Sequence, residues 1–174
     1  MNCFNGERYL RQAIDSVFNQ TYKDWEILFW DNGSTDTSAK IAKSYGEQVR
    51  YFHSKKTYSL GKARNLCMAK SKAEYIAFLD CDDLWLPQKL EKQIPLFEKD
   101  PEVALVFSDA IYFNESGNLC QIYQKFKPPR GKIFKELFRK YFLCMASTVI
   151  QRSAIKNIDW FDERMKLFED ACFF

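Results

Sequence analysis

Two short apolar runs, each closed by an acid, constrain this chain more than any other feature. "WEILFWD" (25–31) and "EYIAFLD" (74–80) are too short for core helices and too continuously apolar for strands with one wet face. They read as strands covered on both sides. Helical signals flank them. Residues 6–20 carry Tyr9, Leu10, Ala13, Ile14, Val17 and Phe18 about one turn apart. "NGSTDTSAKIAKSY" is a turn leading into a helix that Ser34 or Asp36 would cap. "VRYFHS" is a further strand and "GKARNLCMAKS" a further helix. Pro87 suits the first turn of a helix through "QKLEKQI", and Pro95 should kink or end it. "VALVFSDAIYF" (103–113) reads as one strand, and "ESGN" (115–118) as a turn. Alternation of strand and helix through residue 113 predicts one α/β domain, a mostly parallel sheet with helices on both faces.

In such sheets ligands bind beyond the carboxyl ends of the strands. Asp31 and Asp80 end two of them and should lie side by side on that face. The second run continues as Asp80-Cys81-Asp82-Asp83, a crowding of carboxylates that is costly unless a cation or ligand is expected. D-x-D alone also suits a solvated strand end. At a strand-to-turn junction, two such carboxylates converge on a hard cation, Mg²⁺ or Mn²⁺, which takes its remaining ligands from phosphate and water. No calcium-loop pattern follows. An aspartyl nucleophile of the phosphotransfer type is the alternative, although that motif usually follows the first strand of its domain. A metal–diphosphate site is the better reading.

Composition narrows the partners. A net charge of +3 argues against a dedicated nucleic-acid binder. Six cysteines lack any C-x-x-C pair, and the single histidine, His53, leaves little for zinc, so free thiols in a reducing compartment are expected. No secretory leader is visible, and the longest uncharged apolar stretch, Tyr141 to Ile150, is too short to span a bilayer. A cytoplasmic protein is expected, at most peripheral at the inner face of the membrane. Residues 125–142 bear on that. Seven Lys or Arg face one acid, Glu136, while Ile133, Phe134, Leu137, Phe138, Tyr141 and Phe142 recur with helical period. An ordinary core-facing helix with a wet basic face is favoured over contact with an anionic membrane.

The blocks "CFNGERYLRQAIDSVFNQTYKDWEILFWDNGSTDTS", "GKARNLCMAKSKAEYIAFLDCDDLW" and "FED" (168–170) resemble, in order and spacing, those of the family 2 glycosyltransferases. The resemblance implies the GT-A fold, a Rossmann-like sandwich, as a single domain over 1–174. It implies a nucleoside-diphosphate-sugar donor, UDP-sugar favoured, with Mg²⁺ or Mn²⁺ as cofactor. The acceptor would be a hydroxyl of a glycan or lipid-linked glycan in surface polysaccharide or glycolipid synthesis, attacked with inversion. Carried over residue by residue, Phe4 and Asn5 lie where the family packs the base, and Glu7 near the nucleoside. Asp31 bonds the base, and Arg64 of "ARN" reaches the nucleotide. Asp80 would meet the ribose or a metal-bound water and support the metal, Asp82 would coordinate the metal, and Asp170 matches the family's general base. Asp36 is explained by helix capping and Asp83 by support of the turn. The family pattern begins with a strand of which only Met1 and Asn2 hold the place, and it continues past Asp170. The domain is therefore expected to lack its first strand and its C-terminal end, and a catalytically inactive nucleotide- or partner-binding remnant is the alternative function.

Overall fold

The structure is a computed structural model that describes residues 1–158, 160–165 and 169–174. Phe168 of the "FED" motif lies outside them. The chain opens with β1 (Asn2–Cys3), α1 (Leu10–Phe18) and β2 (Ile27–Asp31), followed by α2 (Ser38–Lys43), β3 (Val49–His53) and α3 (Leu60–Met68). Strands β1, β2 and β3 form a parallel sheet in that order. The double burial of "WEILFWD" follows from side-chain alternation. Phe29 points to one face, into a cluster with Leu10 and Ile14 of α1 and Ala42 of α2. Trp30 points to the other, against Ala63 and Cys67 of α3. Helices therefore cover both faces, as the alternation predicted.

Next come β4 (Tyr75–Ala77), α4 (Lys89–Lys99), β5 (Leu105–Val106), β6 (Ile111–Asn114), β7 (Gly117–Gln121), α5 (Phe134–Arg139), β8 (Val149–Gln151) and α6 (Glu169–Phe173). The second sheet has the order β4-β8-β5 and is antiparallel, so the parallel part is the half that carries Asp31. Asp80 joins the halves through a parallel bridge to Asn2. Central β8 overlaps the end of the apolar stretch that closes at Ile150, where no strand is evident in the sequence; Val149 and Ile150 are almost fully buried.

Several local expectations need correction. The run 103–113 is not one strand. It leaves the sheet after Val106, turns where Asp109 Oδ1 accepts from the Ala110 and Tyr123 amides, and re-forms as the β6–β7 hairpin. Pro95 does not end α4: buried Ile94 and Phe97 on either side hold the helix to Lys99. The 125–142 segment buries only Phe142. Its helix spans only Phe134–Arg139 and buries nothing, with Phe134 72% and Phe138 86% exposed. The packing contribution comes after it, from Phe142 and Leu143.

At the chain start, Asn2 and Cys3 pair with Trp30 and Asp31, seated between β2 and the end of the β4 run. Behind Met1 the two edges are not joined, and a cleft of about 900 Å³ lies between them, lined by Leu28, Ile76, Ala77 and Phe78 among others. It meets the carboxylate face only at its rim, through Arg64 and Asp80.

Candidate active site

Four segments meet at the carboxyl ends of β1, β2 and the β4 run. The first is the turn after β1. Phe4 is half exposed, and Asn5 takes a left-handed φ of 52°, a conformation its short polar side chain tolerates. Asn5 Oδ1 accepts from the Thr35 amide at 2.8 Å, and the Asn5 amide donates to Ser34 Oγ at 3.0 Å. Glu7 and Asp36 clasp the same two loops reciprocally. The Glu7 amide donates to Asp36 Oδ2 at 3.0 Å and the Thr37 amide to Glu7 Oε2 at 2.9 Å. Asp36 Oδ1 also accepts from the Ser38 amide at the start of α2, the capping role expected of it. In this structure Asn5 and Glu7 hold the rim together.

Asp31, at the end of β2, is fully buried. Its Oδ1 accepts from the Ser34 amide at 2.7 Å and its Oδ2 from the Tyr51 hydroxyl at 2.5 Å, with His53 Nδ1 3.6 Å away. Burial works to raise its pKa, but the bonds from Tyr51 and Ser34 outweigh it and hold the carboxyl below the usual range. Burial and the Asp31 carboxylate push the Tyr51 phenol far up, so it stays a donor. Tyr51 escaped sequence reading because β3 places it beside Asp31 only through pairing with β2.

The third segment is the turn 80–83. Asp82 is exposed and Asp80 half-buried. Both oxygens of Asp80 face Arg64 Nη2, at 3.1 and 3.2 Å. Arg64 is 5% exposed, donates from Nη1 to Glu169 at 2.5 Å, and lies over the Phe161 ring. Neighbouring Asn65 holds the Phe161 backbone through both its N–H and its C=O. The "ARN" of α3 is thus a brace between the carboxylate turn and the C-terminal segment.

Asp83 is pushed up to about 6, first by burial and then by Asp80 and Asp82, with Arg64 opposing. A carboxyl raised in the folded state above its unfolded value of about 3.9 costs stability as pH rises between the two values, because the unfolded state releases its proton first. Asp83→Asn should therefore gain on the wild type when metal-free urea unfolding is repeated at pH 7 instead of pH 4. Equal offsets at both pH values would show that Asp83 carries no such cost.

The fourth segment is α6. Asp170 Oδ1 accepts from the Ala171 amide at 2.9 Å and Oδ2 from the Tyr141 hydroxyl at 3.1 Å. Burial and Asp170 hold Tyr141 protonated far above ordinary phenols. Tyr141 was legible only as part of the basic segment; its meeting with Asp170 depends on how the chain returns after α5.

Among the described residues no three His, Cys, Asp or Glu side chains form a cage for a metal ion. The donors present still fit a hard divalent cation. Asp80 and Asp82 offer carboxylate oxygens, Asp82 is open to solvent, and both carboxylates add to burial in raising Asp83. Such ions commonly take one or two protein carboxylates and complete their shell with phosphate and water.

Asp31 and Asp80 end strands on either side of β1 and so are not side by side as the sequence suggested, and this doubly covered α/β sheet has the GT-A architecture. The match extends to solved structures. Staphylococcus aureus TarS 1–349 in complex with UDP superposes with a TM-score of 0.81 at 19% identity, over 99% of this chain and 52% of that one. The Pyrobaculum calidifontis mannosyltransferase PcManGT, in complex with GDP-Man and Mn²⁺, gives 0.69 at 14% identity, over 94% and 46%. The sequence model for Glycosyl transferase family 2 matches residues 1–159, and the chain belongs to that family. An uncharacterized glycosyltransferase of Methanocaldococcus jannaschii is 31% identical over 175 residues, covering 96% of this chain and 59% of that protein. The Escherichia coli UDP-Glc:alpha-D-GlcNAc-diphosphoundecaprenol beta-1,3-glucosyltransferase WfgD is 27% identical over 156 residues, covering 89% and 60%. The chain thus spans about half the length of the proteins it matches.

Proposed function

We propose that this domain binds a nucleoside-diphosphate sugar, UDP-sugar favoured, together with Mg²⁺ or Mn²⁺, and transfers the sugar with inversion to a hydroxyl of a glycan or lipid-linked acceptor. The observation that carries the reading is the chain Asp80–Arg64–Glu169, which couples the carboxylate turn to the helix bearing Asp170. A turn suited to a diphosphate and a carboxylate suited to proton removal then belong to one site. The UDP and Mn²⁺ in the neighbours' complexes, and the lipid-diphosphate acceptor in WfgD's name, support the same donor and acceptor classes.

In this reading Phe4 and Asn5 flank the base, with Glu7 and Asp36 keeping their loops in place. Asp31, its remaining lone pairs directed by Tyr51 and Ser34, accepts from the base. Asp82, with Asp80, would hold the cation, whose contribution when bound is to neutralise charge on the departing diphosphate. Asp170 takes the proton of the acceptor hydroxyl as that oxygen attacks the anomeric carbon opposite the leaving group.

A thermal melt with and without UDP and Mn²⁺ tests the site. Ligand at about a hundred times its dissociation constant adds roughly 2.7 kcal/mol, or some 5–11 °C for a domain of this size. The shift should require the metal and vanish in Asp82→Ala. A cooperative melt without any shift, across a panel of nucleotides, would sink the reading. A shift without turnover on any donor would leave the nucleotide-binding remnant.

The exposed Phe134 and Phe138, with Lys132, Lys135, Arg139 and Lys140 around them, favour peripheral contact with an anionic membrane as part of this function. No helix among the described residues is long and apolar enough to cross a membrane. Sedimentation with phosphatidylserine-containing vesicles should fall at high salt and in Phe134→Ser/Phe138→Ser, and be absent with purely neutral vesicles. Equal binding to both vesicle types would refute the electrostatic part.

A further inference from the structure

The carboxylate turn contains a thiol that the proposed chemistry does not use. Cys81 sits between Asp80 and Asp82, and a second thiol, Cys3, faces it from β1. The parallel bridge between Asn2 and Asp80 makes Cys3 and Cys81 the next rung of the same pairing. Neighbouring strands lie about 4.7–4.9 Å apart, inside the 4.4–6.8 Å between Cα atoms that a disulfide spans. The sulfurs also converge. A side chain begun at Gly6 would meet Cys3 Sγ and Cys81 Sγ at 2.8 Å each, so the two sulfurs are separated by no more than twice that distance. Only a glycine fits there, and no side chain at position 6 can wedge the thiols apart. Access is one-sided, with Cys3 buried and Cys81 partly exposed.

From this convergence we propose that Cys3 and Cys81 form a dithiol oxidation site, which a small-molecule disulfide such as oxidised glutathione converts to an intramolecular disulfide at the carboxylate turn. Cys81 Sγ, the accessible sulfur, attacks one sulfur of the oxidant as its proton passes to the departing glutathione, giving a mixed disulfide and one released glutathione. Cys3 Sγ then attacks Cys81 Sγ and releases the second. The two protein thiols give up two electrons and two protons, and the oxidant leaves as two thiols. The new bond ties the 80–83 turn to β1. In a reducing compartment the pair stays as the two thiols of the present structure.

The test needs no enzymatic activity, so it stands apart from the reading of the site as a transferase. The folded chain is incubated with oxidised glutathione, quenched with acid and mapped by mass spectrometry. A peptide pair linked through Cys3 and Cys81 is expected, with amide exchange at Asp82 and Asp83 slowed and Tm raised by several degrees. Cys3→Ala should stop at a glutathione adduct on Cys81. Cys81→Ala should leave Cys3 unmodified. Adducts confined to exposed Cys120 and Cys172, with Cys3 and Cys81 still alkylated as free thiols, would overturn the proposal without recourse to either variant.

Discussion

Asp170→Asn should lower kcat by roughly 10²–10⁴-fold, the range for loss of a general base, while leaving the UDP–Mn²⁺ thermal shift intact. The substitution preserves shape. An amide oxygen can still accept from the Ala171 amide, and the Tyr141 hydroxyl can turn to the remaining group, so α6 keeps its seat. What disappears is the basic lone pair that, in the proposed reaction, receives the acceptor proton. Tyr141→Phe separates positioning from proton removal, because it frees Oδ2 without removing the carboxylate. A smaller fall in kcat with an unchanged donor KM is expected. The readings are taken from initial rates on the donor that gives turnover with wild-type protein. If Asp170→Asn retains full turnover, the base is another residue and Asp170 is structural.

Arg64→Met should destabilise the fold by about 3–5 kcal/mol, the usual cost of removing one partner from a buried ion pair. Arg64 and Glu169 are 5% and 9% exposed at their side chains, so truncation leaves a carboxylate with almost no water to replace the guanidinium. Asp80 is 35% exposed and its half of the brace is screened accordingly, so most of the loss should come from Glu169. Urea unfolding measures the difference. Arg64→Lys should recover only part of it, since one ammonium cannot reproduce the fork that spans Asp80 and Glu169. Arg64→Met combined with Glu169→Gln should recover more, because the stranded charge is gone. A single Arg64→Met variant as stable as wild type would mean that the brace is not formed in solution.

Much of this protein is written locally. Alternation at Phe29 and Trp30 announces a strand with two covered faces, and the α1 stripe of Leu10, Ile14 and Val17 announces the helix that covers one of them. The acids at 31, 80 and 82 fall at the carboxyl ends of strands or the turn that follows, and Asp36 accepts from the Ser38 amide at the start of α2. The short β8 was hidden because three residues carry no period of their own, and the 103–113 run misled because an apolar stretch does not reveal where it leaves a sheet. At 125–142 the period points to an amphipathic helix over Ile133 to Phe142, but only Phe134–Arg139 is helical, and a period cannot say whether the apolar face meets a core or solvent.

By itself the sequence determined the α/β class, because burial on a strand or helix leaves a repeat of two or of about 3.6 residues, and the family, through the resemblance of its motif blocks. Only the tertiary structure decided what the site residues touch. It turned Arg64 inward to bridge Asp80 and Glu169, gave Asp31 its Tyr51 donor, and set Cys3 beside Cys81 and Tyr141 beside Asp170. Arg64 and Glu169 are 105 positions apart. A contact over that distance is made by how sheets and loops close in space, and it leaves no periodic trace along the chain.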